Sequence, residues 1–298
     1  MARFPSSRRM VAGWVFVATL AGGAGVARLE AARPVGVMVA DRVAVVRPVG
    51  PVRDRVVKAV PAPRWLPRID YWGAPGGFPR DAAPGSMVAI TEGLRPLRKL
   101  AVYDAPGGRP RAFLPRSFSG LEVTVPIVER RPGWVGVLLP SLNRRIGWIP
   151  AAEATPSAGA GRGAGWESRR LRDRLVVDRR EHRLSWMRDG RLRQAWKVAV
   201  GSPRTPTPLG RTFVLGPTPT IGGVYAGLDA LVLGAVPDNR EALAPALRNG
   251  HTAIHAWTRE SAFGRSISNG CVRLPADAQR ALLRQIEPGT PVHVVAGR

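Results

Sequence analysis

Short apolar pieces closed by proline or glycine constrain this chain more than any other feature. LAVYDAPGG, RAFLP, EVTVPIVER, WVGVLLP and RIGWIP follow one another between residues 96 and 153. Proline removes a backbone donor and clashes with the preceding helical turn, so such pieces read as strands between turns. With 34 Gly and 29 Pro in 298 residues, long helices are excluded as the main architecture. The expectation is a mainly β protein with one or two helices.

The pieces divide the chain. Arg3, Arg8 and Arg9 precede an uncharged run from Met10 to Val26, and Gly25, Val26 and Ala27 end it. Basic, then apolar, then small is the pattern of an export signal, and the run falls short of the roughly 20 apolar residues of a membrane span. Residues 1–32 are expected to be that signal, or an uncleaved anchor that would be the chain's sole membrane contact. Residues 33–95, with VRPVGPVRDRVVKAVPAPRW and WGAPGGFPRDAAPGS, read as a Pro-rich extended spacer. Residues 96–153 suggest a small barrel. Residues 154–165, with SAGAGRGAG, read as a linker, and 166–298 as a last, mostly β domain. In that domain Asp189-Gly190 marks a type I′ hairpin. LPADAQRALLRQIEPG is its clearest helix, with Pro275 in the first turn and Ala278, Leu282 and Ile286 on one stripe.

Charge narrows the partners. The net charge is +24, carried almost wholly by arginine, which binds carboxylate and phosphate in a planar fork. Coding bias and residence beside an anionic polymer of the cell wall both account for it. The chain has no zinc-finger spacing, aromatic RNA-binding motif or basic heptad array, so nucleic acid is not the expected partner.

The chemistry gathers in HAWTRESAFGRSISNGCVR, residues 255–273. Cys271 is the single cysteine, which excludes an internal disulfide. A thiol needs a base to become a nucleophile, and His255, one of four histidines, is the near one. Gly270 permits close backbone approach, the amides of Gly270 and Cys271 are candidate oxyanion donors, and Arg273 is a candidate grip for a substrate carboxylate. From the residues alone, a cysteine nucleophile and a buried apolar cysteine both stay open. His251 and His255 lack a third ligand, so no metal is expected. His182 and His293 read as structural. Tyr225, in GGVYAGLDA, and His251 are candidate cleft residues.

Ser-Asn-Gly-Cys-Val-Arg-Leu at 268–274, with Ala-Ile-His-Ala at 253–256 sixteen residues ahead of the cysteine, resembles the active site of YkuD-type L,D-transpeptidases. That family carries Ile-His-Gly and then Ser/Thr-His-Gly-Cys-Ile/Val-Arg. Pro-Thr-Pro-Leu-Gly-Arg-Thr-Phe at 206–213, after Val-Ala-Val-Gly, is similar to the family's upstream loop and strand, so the likeness covers about 166–296. GWVGVLLPSLNRRIGWIPAAE, with Trp134 and Trp148, resembles a bacterial SH3-like domain.

The resemblance implies a β-sandwich-like catalytic domain behind an SH3-like barrel, exported to the cell wall or the outer side of the membrane and monomeric. Cys271 would be nucleophile, His255 base, Ser268 support, Gly270 and Cys271 the oxyanion hole, and Arg273 the substrate guide. No cofactor is implied. The substrate would be a peptidoglycan stem peptide, with transfer to an amine giving a 3→3 cross-link and transfer to water giving carboxypeptidase activity. Asn269 stands where the family has histidine, and Ala256 where it has glycine. These departures leave a non-catalytic wall-binding protein as a further reading.

Overall fold

The computed structural model describes residues 56–70, 73–118, 120–153, 165–218 and 224–297. The expected signal, most of the 154–165 linker and the start of the spacer lie outside them. Among the described residues no helix is long and apolar enough to cross a membrane.

The protein is mainly β. The first module comprises β1 (Glu92–Pro96), β2 (Leu100–Tyr103), β3 (Pro110–Leu114), the small hairpin β4 (Ser117–Phe118) and β5 (Leu121–Glu122), then β6 (Val125–Arg131), β7 (Trp134–Leu138) and β8 (Ile146–Pro150). A ninth strand, β9 (Trp166–Arg170), completes an antiparallel sheet in the order β3-β2-β8-β7-β6-β1-β9. Trp134 and Trp148 are buried in its core, with the Trp134 indole edge-on to Tyr103.

The second module follows with β10 (Asp173–Asp178), β11 (Arg183–Arg188), β12 (Arg191–Lys197), β13 (Val200–Gly201), β14 (Gly210–Thr218), β15 (Ala230–Leu233), β16 (Ala253–Ala256), β17 (Ser266–Ser268), β18 (Val272–Leu274), α1 (Ala276–Leu283) and β19 (Pro291–Val295). Its main sheet runs β12-β11-β10-β19-β14-β15-β16-β18, and β13 pairs separately with β17. The Asp189-Gly190 turn has φ of 50° and 78°, both positive as a type I′ turn requires. Pro275 takes the N-cap position just ahead of α1's first turn rather than a place in it, and Ala278, Leu282 and Ile286 are buried as their spacing predicts.

Two sequence-drawn boundaries move. Trp166, expected to open the last domain, is buried in the first core, and β9 pairs along the whole of β1. Antiparallel pairing satisfies its backbone there, and the first sheet ends at Arg170. The described part of the spacer is packed rather than extended in solvent. Ile69, Phe78 and Ile90 enter the first core, and two aromatic side chains use spacer carbonyls as acceptors. Trp134 Nε1 donates to Val57 O at 2.7 Å and the Tyr103 hydroxyl to Val60 O at 2.6 Å. Proline limits the spacer to isolated pairing, such as Arg68 beside Phe113 of β3, while its carbonyls remain available to buried donors.

The two modules share a wall. On β14, Phe213 and Leu215 pack into the first core while Val214 packs into the second, the alternation of a strand buried on both faces. The segment before β1 crosses the same sheet. Asp81 forms a bidentate pair with Arg211 of β14, Arg211 Nε lying 2.9 Å from Oδ2. Beside Arg211, His293 of β19 is hydrogen-bonded to the Ser86 carbonyl at 2.9 Å.

The Asp81 and Arg211 side chains are only 3% and 8% exposed. Removing one partner leaves a buried charge alone, so Asp81→Ala is expected to cost about 3–5 kcal/mol in denaturant unfolding. The apolar pair Asp81→Leu with Arg211→Met is expected to recover most of that loss, because it removes both charges together.

Candidate active site

Register builds the site. β16 and β18 are parallel, with Ile254 opposite Val272, His255 opposite Arg273 and Ala256 opposite Leu274. Successive side chains alternate between faces. Ile254, Val272 and Leu274 turn into the second core, where α1 supplies Ala278 and Leu282. Gln279 of α1 donates to the Asp229 carbonyl at 2.7 Å and the Ile254 carbonyl at 3.3 Å, tying the helix to β16. The same alternation puts His255, Trp257, Cys271 and Arg273 on the opposite face.

The turn that presents Cys271 is held by Ser268. Its hydroxyl donates to the Cys271 carbonyl at 2.5 Å and accepts from the Gly270 amide at 3.1 Å. The Ser268 carbonyl in turn accepts from the Ser202 amide at 2.9 Å and the Thr205 hydroxyl at 3.0 Å. The 202–207 loop therefore cradles the cysteine turn. Gly201 makes this possible, since a Cβ there would lie 2.3 Å from the Thr205 carbonyl oxygen. Gly270 has φ +106°, a conformation that side-chain-bearing residues rarely adopt.

His255 is 2% exposed and its Nδ1 lies 2.8 Å from the Ala256 carbonyl. A carbonyl only accepts, so Nδ1 carries the proton and Nε2 is the basic nitrogen. Burial pulls the His255 pKa down to about 3, and the charge of Arg273 pulls the same way against the Ala256 carbonyl. Burial also pushes the Cys271 thiol up, opposed by a backbone hydrogen bond with Ala253 and by Arg273. Both groups are neutral at rest. A neutral imidazole can take a proton as the thiol attacks, so the arrangement suits general-base catalysis rather than a standing thiolate–imidazolium pair.

The guanidinium carbon of Arg273 lies 3.8 Å from the Trp257 ring centre, and that indole stands edge-on to His255 at 5.9 Å. Trp257 is the site residue that sequence reasoning missed. Its position two residues after His255 on a strand was the available signal.

Other candidates fall elsewhere. The Gly270 amide is engaged by Ser268 and holds the turn. Asn269 is exposed at the turn's tip. His251 is buried at the junction of the modules, with Nδ1 2.6 Å from the Leu233 carbonyl and Nε2 3.2 Å from the Ser141 hydroxyl. Tyr225 belongs to the short turn Val224–Gly227 alongside β16. Ala256 is buried within β16 and is not among the residues with positive φ, so alanine is unstrained where the family has glycine. Among the described residues no group of three or more His, Cys, Asp or Glu is placed to hold a metal.

Residues 172–294 match the family model YkuD, the L,D-transpeptidase catalytic domain. The match begins just beyond β9 and takes in Cys271, His255 and Arg273. No curated protein matches the chain. Among solved structures, the chain is similar to an L,D-transpeptidase from Mycobacterium smegmatis, 19% identical over 54% of this chain and 77% of that one, with a TM-score of 0.37. An L,D-transpeptidase from Mycobacterium tuberculosis H37Rv is 14% identical over 59% and 91%, with a TM-score of 0.39. The catalytic domain of the Enterococcus faecium L,D-transpeptidase is 19% identical over 41% and 96%, with a TM-score of 0.31.

Two outcomes follow from this geometry. Gly270→Ala is expected to destabilise the fold by about 1–3 kcal/mol in urea unfolding, because alanine must hold a left-handed backbone. Stability is also expected to depend on pH through two histidines. His255 and His293 are drawn down to about 3 and about 4 from 6.5, His293 first by burial and then by Arg174 and Arg211. The unfolded chain takes up these protons below pH 6.5 and the folded chain does not. Stability is therefore full above pH 6.5 and falls as pH drops toward 4, by up to roughly 1.4 kcal/mol per pH unit for each histidine. Unfolding midpoints measured between pH 7 and 5 should fall, and His293→Gln should flatten part of that slope.

Proposed function

We propose that this protein is a peptidoglycan L,D-transpeptidase with Cys271 as nucleophile. The observation that carries the reading is the β16–β18 register, which pairs His255 with Arg273, two residues after Cys271. The match of residues 172–294 to the YkuD model supports it.

In this reading the acyl donor is a tetrapeptide stem. As Cys271 Sγ attacks the carbonyl ahead of the terminal D-alanine, His255 Nε2 takes the thiol proton. The oxyanion is met by the Cys271 amide, since the Gly270 amide serves the turn. Collapse forms the thioester, breaks the peptide bond and returns the proton from His255 to the departing D-alanine nitrogen. The side-chain amine of a second stem then attacks the thioester, loses a proton to His255 and leaves a 3→3 cross-link, while the thiol is restored. Covalent catalysis covers both halves without a cofactor.

The same reading puts the protein outside the cytoplasm, exported by residues 1–32. It assigns residues 96–153 as an SH3-like module that positions the enzyme on the wall, with the arginine-rich surface favouring anionic wall polymers.

The test is intact-protein mass spectrometry with a tetrapeptide muropeptide. One acyl adduct is expected, lost in Cys271→Ala, and His255→Ala should slow its formation about 10²–10⁴-fold. Dimeric product identifies cross-linking and tripeptide product identifies carboxypeptidase activity. Absence of any adduct, with sedimentation on insoluble peptidoglycan retained, would replace this reading with that of a wall-binding protein.

A further inference from the structure

We propose that Trp257 is a positioning residue for acyl-donor recognition, holding the Arg273 guanidinium by its face so that its N–H edge receives a carboxylate of the donor peptide. The inference rests on the reading that the donor is a peptide ending in a carboxylate.

Three observations converge on it. Arg273 sits directly across from His255 in the parallel ladder, so its side chain emerges beside the base. Trp257 follows His255 by two residues and lies on the same face, where its indole touches both neighbours: Arg273 at 3.8 Å and the imidazole, edge-on, at 5.9 Å. Arg273, Trp257 and Cys271 are all partly exposed, whereas His255 is buried, so the guanidinium and indole form the solvent side of the site above the base.

The chemistry follows from how a guanidinium binds. Its donors lie in its plane and its faces are weakly hydrated, so an aromatic ring can hold a face without consuming the planar fork that grips a carboxylate. An arginine side chain has many rotamers, and fixing it beforehand reduces the ordering cost when substrate arrives. A docked carboxylate also opposes the positive charge that Arg273 places on His255. Recognition and base strength are thereby linked, because the base gains proton affinity when a donor carrying the right group is seated.

The experiment measures binding apart from chemistry. In the full chain carrying Cys271→Ala, isothermal titration compares a synthetic stem tetrapeptide ending in a free carboxylate with its C-terminal amide. The carboxylate form is expected to bind about tenfold more tightly, within the range that a desolvated cation–π contact can organise. Trp257→Leu, which keeps apolar bulk but has no π face, should erase that preference with the thermal unfolding midpoint held. Trp257→Phe should retain most of it. An unchanged preference in Trp257→Leu, or none in the Cys271→Ala parent, overturns the proposal. Adduct formation is scored separately in protein that retains Cys271. A missing adduct with the preference intact defeats the catalytic reading and leaves this one standing. An adduct without the preference does the reverse.

Discussion

The parallel pairing of β16 with β18 is the constraint on which the site depends. A parallel neighbour cannot be reached by a tight turn, so the chain must leave β16, cross over and return. That crossover, residues 257–271, contains Trp257, β17 and the cysteine turn. A shift of one residue in the pairing would send His255 toward α1 and bring Ile254 to the surface. The core thus fixes the chemistry: Ile254, Val272 and Leu274 must face Ala278 and Leu282, and His255, Cys271 and Arg273 are left together on the other side. Gln279, fully buried and bonded to the Ile254 carbonyl, holds the polar backbone of β16 to the helix at the same level.

A second dependence runs through β14. Its alternating Phe213, Val214 and Leu215 belong to two cores, so the first module is not a bead on a string. The segment ahead of β1 adds the buried Asp81–Arg211 pair, and the Arg144–Asp238 and Asn143–Val236 contacts close the junction from the other side. His251 lies in that junction, bridging the Leu233 carbonyl and Ser141. The first module therefore meets the sheet that carries His255 through packed contacts and not through a linker alone.

The strand pieces, the Asp189-Gly190 hairpin and the helix after Pro275 were legible in the sequence, because each has a local signature: a run of short apolar pieces, a turn dipeptide, a helical stripe. The first-module boundary was not. Trp166 reads as the start of a strand from either side, and only its pairing with Pro96 of β1, seventy residues earlier, decides to which sheet it belongs. The spacer failed for a related reason. Frequent proline keeps the spacer from a long strand or helix, but it does not forbid burial, and Ile69, Phe78 and Ile90 find a core with no periodicity to announce them. His251 was read as a candidate cleft residue. It precedes β16, however, and its ring bonds are made at the module junction.

The two departures from the family pattern also separate on structural grounds. Of the two concerns at Ala256, a left-handed backbone and a close substrate approach, the first is met, since Ala256 lies in β16 and is not among the positive-φ residues. Asn269 bears on two requirements that the structure assigns to other residues. The shape of the turn comes from the Ser268 hydroxyl, the Gly270 backbone and the 202–207 loop, while the side chain at 269 is exposed. The protonation of the pair comes from burial and from Arg273, which act on His255 and Cys271 without reference to position 269. A histidine at the tip would add charge near the entrance; an asparagine adds a neutral donor and acceptor. The backbone of the cysteine turn and the causes that shift His255 and Cys271 are thus set by residues other than Asn269.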